Sequence, residues 1–260
     1  MKLTGERPIE GQTPDSLLAL HAAGYREVRE RLGDGVLLDL GCGLGDGTAS
    51  FAAPGRTLVG LDYDAETAAE AWRTHRDADL LTVCSDGARL AVGDRSFDAV
   101  CSSHLIEHFH DPEPHVREVA RVLRDDGTAF FLTPNKPADF ENPYHLYLFD
   151  PDDLTAMLGR SFAEVVVLGL DASPTVKADF ERRRALANRL LRLDPLGLRH
   201  RLPHEWFVAL HAAGRRLAYR RLAGEQGGGN SGITAEEFFT TDEIDDSTLV
   251  LFAIARRPRK

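Results

Sequence analysis

The sequence predicts an α/β fold built on a seven-stranded, mostly parallel sheet, with helices on both faces and a helical insertion between the last two strands. Three observations carry this reading. From residue 36 onward, short apolar runs alternate with amphipathic stretches, which is the rhythm of βαβ units around a parallel sheet. A glycine-rich turn follows the first apolar run, at the point where open α/β sheets take their ligands. A basic segment, residues 172–232, interrupts the pattern before the final strand.

The elements follow in order. Residues 15–32 read as one amphipathic helix laid across the open end of the sheet, within an N-terminal helical cap of residues 1–35. Strands are expected at 36–40, 57–61, 80–84, 97–102 and 127–133, and then at 164–170 and 248–256. Between them, Asp64 suits a helix cap, with Ala65, Ala68, Ala69 and Trp72 sharing the buried face. Val116, Val119, Ala120 and Leu123 repeat that spacing in a later helix. Asp150 followed by Pro151 and Asp153 is a strong helix start, with Leu154, Met157 and Leu158 as its apolar stripe. The sheet and its helices thus occupy residues 36–171 and 233–260, and residues 172–232 form a basic helical insert. In the insert Leu186, Leu190 and Leu193 recur at helical spacing, as do Phe207, Leu210 and Leu217, and residues 224–232 form a glycine-rich return.

Composition narrows the functional classes. The 260 residues are 43% apolar and 28% charged, which suits an ordinary globular protein with a substantial core. The longest apolar run, residues 249–255, falls far short of the roughly 18 residues that a bilayer requires. Residues 1–10 lack the basic start and apolar stretch of a secretory signal, so a cytoplasmic protein is expected. Three cysteines, Cys42, Cys84 and Cys101, are too sparse for a disulfide framework and agree with that compartment. The net charge of −10 is uneven: residues 172–232 hold 12 Lys/Arg against 5 Asp/Glu, leaving 19 against 36 elsewhere. An acidic body disfavours nucleic acid as a partner, while the basic insert leaves room for an anionic or phosphate-bearing small molecule, or for contact with a membrane surface.

The chemistry concentrates at three strand ends. Asp39 closes the first strand and is followed by Gly41, Gly43 and Gly45, which let the backbone turn sharply and approach a ligand closely. The third glycine of a dinucleotide fingerprint would fall on Asp46, and a carboxylate at that helix start repels a pyrophosphate, which argues against NAD-dependent oxidoreduction. Asp39 suits a cationic ligand group instead. Asp62, 21 residues after Gly41, can accept the hydroxyls of a ribose, and Asp86 beside Gly87 can meet the exocyclic amine of an adenine.

Five motifs in register then resemble the class I S-adenosylmethionine-dependent methyltransferases, in particular their small-molecule members: LDLGCGLG at 38–45, VGLDYD at 59–64, SDG at 85–87, FDAVCSSHLIEH at 97–108 and LRDDGTAFFLTPN at 123–135. The resemblance covers residues 36–170 and the final strand. It implies a Rossmann-like fold and S-adenosyl-L-methionine as cofactor. On that basis Asp39, Gly41 and Gly43 surround the methionine portion, Asp62 binds the ribose, Asp86 and Gly87 flank the adenine, and Tyr63 is a further cofactor contact. Ser102 and Ser103 line the methyl-donor side. The basic insert has no counterpart in the family's minimal pattern, so acceptor identity does not transfer.

His104, Glu107, His108 and His110 follow the fourth strand. Three uses compete for them. Glu107 and His108 can cap the next helix from outside the site. His104 or His145 can act as general base for a hydroxyl acceptor. Alternatively His104, Glu107, His108 and His145 can gather a divalent metal around vicinal hydroxyls, an arrangement similar to the metal-assisted 2′-O-methyltransferases of small-RNA 3′ ends, although His104 stands where those enzymes have Glu. His104-x-x-Glu107-His108 also matches an inverted zinc-protease motif, which would need a long helix. Tyr144, His145 and Tyr147 in the segment 142–149 offer polar and flat surfaces of the kind sugars favour. In the insert, Arg182–Arg184 and Arg215–Arg216 can clamp a phosphate or lie on a solvated helix face. The expected activity is O-methylation of a sugar or other small hydroxyl acceptor in glycan or secondary-metabolite biosynthesis. A non-catalytic module binding an adenine nucleotide is the contrasting possibility.

Overall fold

The computed structural model describes residues 13–139, 144–191 and 232–259, with side chains of 186–191 excepted. Its elements are α1 (Asp15–Arg29), β1 (Gly35–Leu40), α2 (Asp46–Ala49), β2 (Arg56–Asp62), α3 (Ala65–Thr74), β3 (Leu81–Cys84), β4 (Phe97–Ser103), α4 (Glu113–Val122), β5 (Leu123–Pro134), α5 (Pro151–Gly159), β6 (Phe162–Ala172), α6 (Pro174–Leu191), β7 (Phe238–Thr241) and β8 (Val250–Pro258). The strands form one sheet in the order β3-β2-β1-β4-β5-β8-β6-β7. β1 to β5 pair in parallel, and β8 runs antiparallel between β5 and β6. The sheet is therefore mostly parallel, as expected, but has eight strands where seven are read from the sequence. The added strand, β7, pairs antiparallel with β6 through Gly169–Ala172. It is four residues long and flanked by acidic residues, so it carries no period-2 run by which to recognise it.

The central strands are apolar on both sides, as burial between two helical layers requires. Along β5, Phe130 and Leu132 face one layer with α1, α3 and α6, packing with Leu20, Ala23, Ala71 and Val176. Ala129 and Phe131 face the other, with Val116, Val119, Leu154 and Leu158 of α4 and α5. Local start signals act as read. The Asp64 side chain accepts from Thr67 N–H, and the Asp150 side chain from Asp153 N–H behind Pro151.

Three expectations are corrected. α1 does not lie across the open end of the sheet. It packs flat on one face through Ala19, Leu20, Ala23 and Val28, because its apolar stripe matches the β5 and β8 side chains there, and only His21 and Tyr25 reach the site. In α3 the buried face is Thr67, Ala68 and Ala71, while Trp72 is 43% exposed and stacks under the Arg76 guanidinium at 4.2 Å. A large ring at the helix edge gains more from that cation than the crowded sheet face could offer it. Leu123, read as helical, is instead the first residue of β5. Within the insert, α6 is helical as expected, and the features read at 192–231, including Arg215 and Arg216, lie outside the described residues. No helix among the described residues is long and apolar enough to cross a membrane.

The exposure of Trp72 sets a measurable contrast. Trp72→Ala is expected to cost no more than about 1 kcal/mol in urea denaturation, whereas Leu154→Ala, at a fully buried position, costs about 2–5 kcal/mol.

Candidate active site

The parallel strands deliver their carboxyl ends to one edge, and the order β2-β1-β4 places the reversal of strand order beside β1. Asp39, Asp62 and Ser102 stand at or beside that edge on neighbouring strands, in the register Leu40↔Leu61 and Leu40↔Ser102. After β1 the chain turns through Gly41, Gly43 and Gly45, with φ of +74°, +56° and +88°. These are left-handed conformations that only glycine adopts cheaply. A Cβ added at Gly43 would meet nothing within 4 Å, so the turn leaves open space on the side of that residue.

Asp39 is buried. Its Oδ2 accepts from Tyr25 Oη at 3.0 Å and from Thr48 Oγ1, while Oδ1 has no hydrogen-bond partner among the described residues. Burial raises its pKa to about 6 against the opposing hydrogen bonds from Thr48 and Tyr25. Tyr25 reaches Asp39 only because Gly47 has no side chain: a Cβ there would sit 2.3 Å from the tyrosine ring. Asp62 is also buried, accepting from Gly43 N–H at 3.2 Å and Asp64 N–H at 2.9 Å, and so fixes the glycine turn to β2. Tyr63 beside it is 62% exposed. Asp86 is exposed and accepts from Ala88 N–H in the turn after β3, and Gly87 is buried.

His115 of α4, which sequence reading passed over, ties two of these parts together. Its Nδ1 lies 2.8 Å from the Gly87 carbonyl and its Nε2 2.9 Å from Ser102 Oγ. The carbonyl can only accept, so Nδ1 carries the proton and Nε2 accepts from the serine. Burial lowers the pKa of this ring to about 4 and keeps it neutral. Its place on the apolar face of α4, between Glu113 and Val116, was the available signal.

Past β4 the geometry tightens. Ser103 Oγ and His104 Nε2 are buried without hydrogen-bond partners among the described residues. His104 has φ of +50°, a conformation costly for a residue with a Cβ, and its N–H is held by the Leu132 carbonyl at 2.8 Å. Its Nδ1 stands 3.4 Å from Glu107 Oε1. Glu107 is fully buried in a single 3-10 turn, so it is neither a helix cap nor part of the long helix that a zinc protease needs. Burial pushes its pKa up, but the His104 ring close to Oε1 and the fields of His104, His108 and His145 outweigh this and bring it to about 2. From α1, His21 packs its ring 4.4 Å from that of His104, and burial followed by the His104 charge lowers its pKa to about 3. The segment after residue 143 folds over this turn: Leu146 and Tyr147 N–H both donate to the Glu107 carbonyl. His108 and His145 lie beside Glu107, their ring centroids 5.4 Å apart. In contrast, Arg182 and Arg183 pair with Asp179 within α6, and Arg183 also donates to Ser16 of α1.

Among the described residues, four of the seven buried side-chain atoms without a hydrogen-bond partner belong to Asp39, Ser103, His104 and Glu107, at and just past the ends of β1 and β4. Buried polar atoms are normally satisfied, and their collection at one edge marks a ligand site. An acid at the end of β1, open glycine space and an acid at the end of β2 define a class: α/β enzymes that hold an adenosyl ligand carrying a cationic tail. The comparisons place the chain within that class. Residues 38–131 match the family model of a methyltransferase domain. A probable S-adenosylmethionine-dependent methyltransferase of Mycobacterium tuberculosis is 30% identical over 185 residues, 68% of this chain and 67% of that protein. A ubiquinone biosynthesis O-methyltransferase of Neisseria meningitidis is 38% identical over 106 residues, 38% of this chain and 44% of its own length. Among solved structures, a Thermotoga maritima S-adenosylmethionine-dependent methyltransferase aligns over 93% of this chain and 91% of its own with a TM-score of 0.58 at 13% identity. The chain belongs to the class I S-adenosylmethionine-dependent methyltransferases. The residues present fit that cofactor, since Asp39 Oδ1 offers an unmatched buried acceptor for its ammonium group and Gly43 leaves room beside it.

A protonated Asp39 cannot hold an ammonium group. S-adenosylhomocysteine affinity is therefore expected to be constant above pH 7 and to weaken as pH falls through about 6, by up to tenfold per unit; Asp39→Asn should bind weakly at every pH, and calorimetric titration between pH 5 and 8 checks both. His115→Phe strands the Gly87 carbonyl and Ser102 hydroxyl, and is expected to weaken the same ligand roughly fivefold or more.

Proposed function

We propose that this methyltransferase acts on a hydroxyl of a small polar acceptor, a sugar or similar hydroxylated molecule in glycan or secondary-metabolite biosynthesis. One observation carries the reading: a half-buried histidine just past β4 presents a buried Nε2 with no hydrogen-bond partner among the described residues while a carboxylate stands behind its Nδ1. That is the arrangement of a general base and the group that orients it. The likeness to the Neisseria meningitidis ubiquinone biosynthesis O-methyltransferase supports oxygen as the methylated atom.

The bound cofactor supplies a methyl group on a cationic sulfur, already activated for transfer. The chain's own part is to align the acceptor, exclude water and remove one proton. His104 Nε2 takes the hydroxyl proton, and Glu107 Oε1 stabilises the imidazolium that results. His21, held neutral by burial, places no opposing charge beside it. Asp62 holds the ribose side, with Tyr63 and Asp86 at its outer rim. His145, with Tyr144 and Tyr147, lines the acceptor side, and the basic segment 172–232 supplies selectivity for anionic acceptors. Free Cys42, Cys84 and Cys101 suit a reducing, cytoplasmic setting.

A methyl-transfer screen over sugar, lipid-linked and polyketide hydroxyls identifies the acceptor. With it, His104→Ala is expected to lower kcat by about 10²–10⁴ while leaving S-adenosylhomocysteine affinity within about threefold, and Asp62→Ala to lose that affinity. Full activity in His104→Ala would remove His104 as the base, and undiminished binding in Asp62→Ala would remove the ribose contact.

A further inference from the structure

We propose that Glu107, His108 and His145 form a site for one divalent first-row transition-metal cation, whose open coordination positions take neighbouring oxygens of the acceptor. The cation's use rests on the hydroxyl-methylation reading; the site itself rests on geometry. One ligand atom from each of the three residues lies within 4.8 Å of the other two. Atoms bonded to a shared ion at about 2.0–2.2 Å stand roughly 3–4 Å apart, so a small inward shift of the side chains completes the site.

Both imidazoles are set for coordination through Nε2. His108 Nδ1 lies 2.9 Å from the Tyr144 carbonyl, which can only accept, so the proton is on Nδ1. His145 Nδ1 lies 2.8 Å from Asp139 Oδ2, the carboxylate–histidine arrangement that orients metal-binding rings and raises their basicity. The backbone fixes the third side of the site. Leu146 and Tyr147 N–H bind the Glu107 carbonyl at 2.8 and 3.1 Å, so the segment bearing His145 is anchored on the residue that supplies the carboxylate. A fully buried Glu107 and the adjacent Asp139 give the cluster the negative charge a cation needs.

The donor set decides the class of ion. Two imidazole nitrogens and one carboxylate oxygen suit zinc, cobalt, iron(II) or manganese better than magnesium or calcium, which take oxygen ligands. Three protein ligands also leave positions open, as in catalytic rather than structural sites. Those positions match the two oxygens of a vicinal diol. His104 stands outside the three and keeps its own contact with Glu107 Oε1.

The test is direct binding to the metal-free, full-length protein, with Zn²⁺ followed by calorimetry and Co²⁺ by visible absorption. One equivalent of each is expected to bind, with Co²⁺ bands of nitrogen and oxygen coordination. His108→Gln and His145→Gln are expected to weaken binding at least tenfold, and Asp139→Asn, which keeps the ligands and disturbs only the orienting contact, by about 10- to 100-fold. S-adenosylhomocysteine titrated into the same variants should bind within about threefold of the parent, which also reports that they are folded. Absence of heat and of cobalt bands in the parent protein, or undiminished binding in all three variants, would overturn the site. Loss of methyl transfer to hydroxyls with metal binding intact strikes the functional reading and leaves the site standing.

Discussion

Glu107 is a carboxylate without access to solvent, and a buried anion survives only where its surroundings return what water would have supplied. The chain meets this demand from four directions. Thr133 donates from the end of β5, His104 stands against Oε1, and His108 and His145 contribute their fields. The main-chain carbonyl of the same residue gathers Leu146 and Tyr147 N–H. One side chain thus dictates where the turn after β4, the end of β5 and the segment before α5 meet. Its compensation needs polar groups at one point, and those groups are the ones proposed above for the acceptor side.

Asp39 shows the opposite outcome of the same physics. It too is buried, but its partners are uncharged hydroxyls and a thiol, so burial wins and its pKa rises to about 6, whereas the histidines around Glu107 bring it to about 2. Environments that separate two acids in this way commonly assign them different work. An acid short of positive charge, with a bare Oδ1, is poised for a cationic ligand group. An acid already compensated by histidines is poised to orient them. Asp39 lies at the end of β1 and Glu107 in the turn after β4, strands that are adjacent in the sheet, so the two acids face each other across Ser102, Ser103 and His104.

Much of this was legible in the chain. The apolar runs and caps fix the strands and helices because central strands must be apolar on both faces and because Asp64 and Asp150 leave few other ways to start a helix. The three strand-end acids follow from the same alternation. What escaped did so for physical reasons. β7 is too short to show a period and depends on β6 for its pairing. Trp72 follows helical spacing but finds a better partner in Arg76 than in the sheet. His115 looks like any polar residue on an amphipathic helix until Gly87 and Ser102, 28 and 13 residues away in sequence, arrive on its two nitrogens. Contacts of that kind are made by folding and leave no local pattern.

α1 connects the surroundings of the two acids. Tyr25 holds Asp39, one helical turn earlier His21 lies against His104, and farther back Ser16 takes a hydrogen bond from Arg183 and donates to Asp179 of α6. Positions 21 and 25 are i, i+4 and share one stripe of the helix, with Ser16 on the opposite side, so a rotation of α1 would disturb the Asp39 contact and the His104 contact together. The close approach at Gly24, where a Cβ would come within 2.7 Å of Leu132 Cδ2, presses the helix against β5 and resists that rotation. The helix therefore sets the distance between Asp39, through Tyr25, and His104, through His21, which is a stricter task than covering the sheet.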